Sequence, residues 1–253
     1  MKQREMPFRA HFEELRKRLI FIAIFLVVGL LVGFFLAPPV IAYLQSIPEA
    51  QDFPMNAFQL TDPLRVYVNF AFFIAIIIIL PVIFYQLWAF IAPGLAEKER
   101  KVTLSYIPIA MVLFLGGLAF SYYVLLPYFM EFLGNIAERL NITEQYGINE
   151  YFSFLFRITV PFGFLFQLPV VVMFLTRLGL ITPNFLHRIR KYAYFVLLVI
   201  AGFITPPDLG SHLIVTVPLF LLYELSVVIA RYAFRKRMKE EVARQKEMTT
   251  SDQ

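Results

Sequence analysis

The chain has 253 residues, of which 59% are apolar, 17% aromatic and 16% charged, so it lies well outside the roughly half apolar, quarter charged range of soluble domains. This composition excludes an ordinary water-soluble fold and points to an integral membrane protein. The absence of cysteine excludes disulfides, thiol nucleophiles and thiolate metal sites, and the three histidines, His11, His187 and His212, are too scattered for a zinc motif; the net charge of +5 matters through where its bases sit.

Six stretches are free of Asp, Glu, Lys and Arg: Leu19 to Ala37, Val66 to Ala96, Val102 to Met130, Ile158 to Thr176, Tyr192 to Pro207, and Leu209 to Tyr223. A helix needs about 20 apolar residues to cross a hydrocarbon core about 30 Å thick, so the first four qualify as spans. The first is expected to end at the Ala37-Pro38-Pro39 turn. It reads as a retained helix, because its apolar run exceeds that of a signal peptide and no small-x-small cleavage pattern precedes the turn. The fifth must stop near Ile204, ahead of Pro206 and Pro207, since proline has no N–H and clashes with the preceding turn. That leaves a helix of roughly 20 Å counted from Tyr192. The sixth starts after the same turn and is expected to end near Ala230, with Pro218 inside it. Pro81, Pro108, Pro127, Pro161, Pro169 and Pro218 read as kinks whose freed carbonyls are met by neighbouring helices. Thr182 before Pro183 reads as a helix start.

The expected fold is therefore an all-α integral membrane protein with six transmembrane helices, the fifth and sixth short. Residues 1–234 form the membrane domain, and 235–253 a basic tail suited to a membrane surface rather than to nucleic acid. Basic residues alternate by side. Arg16, Lys17 and Arg18 precede the first span, Lys98, Arg100 and Lys101 follow the second, Arg188, Arg190 and Lys191 precede the fifth, and the tail adds seven more from Arg231 to Lys246. The loops between carry Glu49, Asp52 and Asp62 with no base, then Arg139 against Glu131, Glu138, Glu144 and Glu150. Both termini are expected in the cytoplasm by the positive-inside rule. The Asn141-Ile142-Thr143 triplet reads as plain loop.

No glycine opens a phosphate-binding G-x-x-x-x-G-K-[ST] run, and neither H-E-x-x-H nor G-x-S-x-G occurs. No enzyme and no cofactor is implied. Polar residues inside the spans are Asn69, Gln86, Arg157, Gln167 and Glu224. Function is the default suspicion for an ionisable group in a membrane, although Arg157 is near enough to a span end to snorkel and Glu224 to meet an internal partner.

Several stretches together, "HFEELRKRL" at 11 to 19, "LPVIFYQLWAFIAPGL" at 80 to 95, "KER" at 98 to 100, "TPPD" at 205 to 208 and "PLFLLYE" at 218 to 224, resemble the TatC family of the twin-arginine protein translocase. The resemblance runs in order from residue 11 to about 234. It implies a concave bundle of six helices with cytoplasmic termini, in the cytoplasmic membrane of a prokaryote. It further implies a receptor for folded cargo bearing a signal with two adjacent arginines, working in an oligomeric complex with single-span TatA-like and TatB-like partners and the proton gradient. Glu14, Arg16, Phe90 and Glu99 are the matching positions for signal binding. Carboxylates suit that task because each planar guanidinium fork can make a bidentate, charge-assisted contact.

Helix spacing separates two acids of the 97–101 charge run. Glu97 has Arg100 at i+3 and Lys101 at i+4, whereas the residues three and four from Glu99 are Leu95, Ala96, Val102 and Thr103, leaving Glu99 open to an outside cation. Glu14 has Lys17 and Arg18 at the corresponding distances. Asp208 fits the family's "TPPD" and also reads as the N-cap of the sixth helix. Gln167 stands where many family members carry glutamate, which argues against proton handling there. It is expected near the middle of the fourth span, bonded either to a partner helix or within this chain through Gln86 or Glu224. The rival readings, a proton-coupled secondary transporter and an intramembrane enzyme, lack an inverted repeat or a cluster of membrane carboxylates to support them.

Overall fold

The computed structural model describes residues 8–46, 56–92, 100, 103–143, 145–205 and 208–251. In chain order its helices are α1 (Phe8–Gln45), α2 (Asp62–Ile91), α3 (Tyr106–Phe120), α4 (Leu126–Arg139), α5 (Ile148–Leu165), α6 (Leu168–Leu178), α7 (Pro183–Ile204) and α8 (Leu209–Ser251). The chain divides into two compact units, Met1–Met111 with Phe132–Phe156, and Val112–Glu131 with Arg157–Gln253.

In the first unit α1 and α2 pack along their length through small residues. A Cβ on Gly33 would overlap the backbone oxygen of Ala71, and one on Gly29 would lie 2.8 Å from the Ile79 side chain and 3.3 Å from the Ala75 oxygen. Glycines four apart on one helix thus face alanines four apart on the other, the small-residue spacing by which helices approach closely in lipid. The expected stop at Pro38 does not occur, since α1 runs through Pro38 and Pro39 to Gln45. Pro38 has no N–H for the carbonyl of Phe34, but the Tyr67 hydroxyl of α2 donates to that oxygen at 2.6 Å. A cross-helix bond replaces the missing one. Phe70 of α2 meets Phe152 and Phe156 of α5 edge-on, each at 4.8 Å between centroids. At the start of α2 the fully buried Asp62 accepts the N–H groups of Phe58 and Gln59 through Oδ2, knitting the preceding loop to the helix.

In the second unit, a single wide turn over Ser121–Leu125 joins α3 to α4, with the N–H of Leu126 reaching back five residues to Ser121. Pro127, next in line, has no N–H to continue an α-helical ladder, and the widened turn absorbs the mismatch. The expected fourth span is two helices, α5 and α6, separated by a turn at Phe166 and Gln167 just before Pro169. Gly179, at φ 77°, ends α6 in the left-handed conformation that glycine adopts without a Cβ penalty. Thr182 caps α7 by accepting the N–H of Phe185, and α7 ends at Ile204 ahead of the double proline. The last helix does not end near Ala230: α8 continues to Ser251, because 219–251 contains no proline or glycine and its polar end is built of good helix formers.

Five stretches among the described residues are long and apolar enough to cross a membrane: Phe12–Gln45, Asp62–Ile91, Tyr106–Arg139, Ile148–Leu178 and Leu209–Lys239. α7 is uncharged only from Tyr192 onward, with Arg188, Arg190 and Lys191 in its first half. Among the described residues the protein is all-helical, and its five membrane-length helices make it a multi-pass membrane protein.

Candidate functional site

Glu14 and Arg18 lie one turn apart on α1, so their side chains share a face. Arg18 donates to Glu14 Oε1 twice, through Nε at 3.2 Å and Nη2 at 2.5 Å. The same guanidinium crosses to α2, where Nη1 donates to Gln86 Oε1 and Nη2 to the carbonyl of Ala89, each at 3.0 Å. The Ala89 carbonyl is available for a reason written in the sequence: its α-helical donor would be residue 93, a proline. Arg18 takes up the freed oxygen, and its positive charge sits at the electronegative end of α2. All three guanidinium nitrogens are engaged, and both charged side chains keep about a fifth of their surface exposed.

Beside this cluster Trp88 ties the end of α2 to the chain beyond it. Its indole N–H donates to Thr103 Oγ1 at 3.0 Å, Thr103 Oγ1 donates to the carbonyl of Arg100 at 3.2 Å, and the Arg100 guanidinium lies over the indole at 5.7 Å. Thr103 is buried. Phe90 is half-buried and Arg16 is exposed. Glu97 and Glu99 lie outside the described residues.

Glu224 is held differently. Its Oε2 accepts Arg190 Nη2 at 2.6 Å and its Oε1 accepts the Tyr194 hydroxyl at 2.5 Å, both from α7. Tyr194 stacks on Phe220 at 4.3 Å, and the Tyr223 hydroxyl donates to the carbonyl of Leu186 at 2.8 Å, so α7 and α8 are stitched by alternating polar and aromatic contacts. Asp208 Oδ1 accepts the N–H of Ser211 at 2.8 Å across the first turn of α8. Arg157 is exposed.

Gln167 lies at the α5–α6 break rather than within a continuous helix, and it is buried. Its backbone N–H tightens onto Phe164 O at 2.9 Å, and its side-chain Nε2 donates to Gly163 O at 3.4 Å, the carbonyl that an unbroken helix would have paired with that N–H.

Of the residues singled out in the sequence, the structure joins Glu14 to Gln86 by way of Arg18, and places Glu224 and Gln167 in separate local networks. Arg18 and Trp88 are the functional candidates that the sequence pattern passes over. The i+4 spacing of Arg18 from Glu14 is visible there; the missing N–H of Pro93, which brings Arg18 onto α2, is the further signal.

Residues 10–218 match the family described as Sec-independent protein translocase protein (TatC). The chain belongs to the TatC family. Among its TatC relatives, the Sec-independent protein translocase protein TatC of Halalkalibacterium halodurans is 63% identical over 247 residues, 98% of each chain. TatCy of Bacillus subtilis is 58% identical over 243 residues, 96% of each. The crystal structure of the twin-arginine translocase receptor TatC superposes with a TM-score of 0.76 at 31% identity, covering 88% of this chain and 99% of the other. The TatC family is a protein-translocation family rather than one defined by a catalysed reaction.

Proposed function

We propose that this protein is the receptor subunit of a twin-arginine translocase, in which the α1–α2 end binds the paired arginines of a cargo signal. The observation that carries this reading is the Glu14 carboxylate: it is fixed at the junction of two helices, partly exposed, and among the described residues only one of its oxygens is used. Glu99 supplies the second carboxylate from the segment after α2, Phe90 an apolar contact at the membrane edge, and Arg16 the exposed flank. Both termini are cytoplasmic, as the distribution of bases requires. Residues 1–234 make a six-helix domain with a short fifth span in the cytoplasmic membrane of a prokaryote, and 235–253 a basic tail at its surface. TatA-like and TatB-like single-span subunits complete an oligomeric complex that exports folded proteins with the proton gradient. Gln167 and Glu224 are the intramembrane polar positions facing that assembly, and Asp208 holds the turn before α8.

The test is binding of a fluorescent signal peptide carrying two adjacent arginines to the full-length protein in lipid nanodiscs. Saturable binding lost when both arginines become lysine supports the receptor reading. Equal binding of both peptides would sink it, as would labelling of Asp52→Cys from the cytoplasmic side alone.

A further inference from the structure

Resting on the receptor reading above, we propose that Arg18 is the positioning residue of the signal site, locking Glu14 so that Oε2 is presented to an incoming guanidinium. Both Arg18–Glu14 hydrogen bonds end on Oε1, and among the described residues nothing donates to Oε2. A carboxylate free to rotate would offer either oxygen in many directions. This one is fixed, because the fork that grips it is itself held by Gln86 Oε1 and the Ala89 carbonyl on α2.

The geometry requires arginine at residue 18. A lysine ammonium has three donors on one nitrogen and no planar fork, so it cannot bind Oε1 through two nitrogens while meeting two acceptors on another helix. It also argues against Arg18 being a plug that a signal arginine must evict. Eviction would break four hydrogen bonds and, among the described residues, leave no donor for Ala89 O, already deprived of one by Pro93. An arriving guanidinium instead adds to Oε2, and the completed carboxylate lies between two guanidinium groups.

The experiment measures affinity for the twin-arginine peptide, with thermal unfolding of each variant alongside. Arg18→Gln and Arg18→Lys are each expected to weaken binding about tenfold, the scale of one charge-assisted hydrogen bond. In a Glu14→Gln background neither should weaken it further, because the residue acts only through that carboxylate. Gln86→Leu, which loosens the fork without changing charge, should give a loss of about threefold, an order-of-magnitude figure below that of a full charged bond, again only when Glu14 is intact. Wild-type affinity in Arg18→Lys or in Gln86→Leu would overturn the proposal, as would losses that multiply in the double variants; Gln86→Leu decides the matter if Arg18→Gln does not fold. Wild-type affinity in Glu14→Gln would remove the carboxylate from the site and the receptor assignment with it. A loss in Glu14→Gln beside full affinity in Arg18→Lys would overturn the role of Arg18 alone.

Discussion

Two carboxylates of this protein, Glu14 and Glu224, each meet an arginine within a packed helix pair, yet their oxygens are used in opposite ways. On Glu224, Arg190 takes one oxygen and Tyr194 the other, and aromatic contacts close around the pair. On Glu14, Arg18 takes one oxygen twice, and among the described residues nothing takes the second. A carboxylate whose acceptors are both filled from within is a brace. One that is held by a single oxygen is oriented and still able to bind. The difference teaches that an intramembrane or membrane-edge ion pair is read for function by counting which oxygen each donor occupies, and the salt bridge alone says little.

The largest expected effect comes from separating the helices that build the open site. Gly33→Leu places a side chain into the Ala71 backbone, and overpacking of this kind costs about 1–3 kcal/mol or more. Both the unfolding temperature in detergent and twin-arginine peptide binding should fall. Retained binding with α1 displaced would show that the site does not need the α1–α2 junction.

Glu14→Gln breaks the contrast more selectively. It should weaken peptide binding about tenfold, one charge-assisted bond, and lower the unfolding temperature modestly, because the partly buried bond to Arg18 loses its charge as well. Glu224→Gln should affect stability alone. The partly exposed pair contributes about 1 kcal/mol, so thermal stability drops modestly while peptide affinity stays constant. If the two variants gave the same pattern, the distinction between an open and a closed carboxylate would have no functional content.

The smallest effect is expected at Gln167. Gln167→Leu removes the amide that covers Gly163 O through a long 3.4 Å bond, worth about 0.6 kcal/mol in a membrane setting. Signal binding should persist while cargo export and crosslinking to a single-span partner decline. Normal export by that variant would take Gln167 out of transport and leave it as a local repair of the helix break.

Much of this architecture is legible in the residue pattern, and the places where it is not share one cause. Charge-free runs and the double proline at 206 and 207 mark the helices and the end of α7, because apolar length and a missing N–H are local properties. Pro38 misleads for the opposite reason. Whether a proline ends a helix depends on whether something else satisfies the freed carbonyl, and the donor, Tyr67, comes from another helix. The same holds at Ala89, where Pro93 opens an acceptor and Arg18 fills it from 71 residues away. Glu14 is identifiable from the family pattern and its spacing to Arg18, whereas the choice of oxygen is a matter of three-dimensional geometry. Counting residues places Gln167 in mid-span; Pro169, two positions on, marks the break that the count ignores.

Helix α8 also has a mechanical consequence. Its 43 residues form one uninterrupted rod, which at 1.5 Å per residue is roughly 65 Å long, about twice the thickness of the hydrocarbon it enters. A rod of that length converts angle into distance. Pivoting by about ten degrees near Pro218, its end at Ser251, roughly 50 Å away by the same rise, sweeps about 9 Å. A tilt that shifts Glu224, six residues past the pivot, by only about 1.6 Å therefore becomes, at the far end, a displacement comparable to the width of a helix.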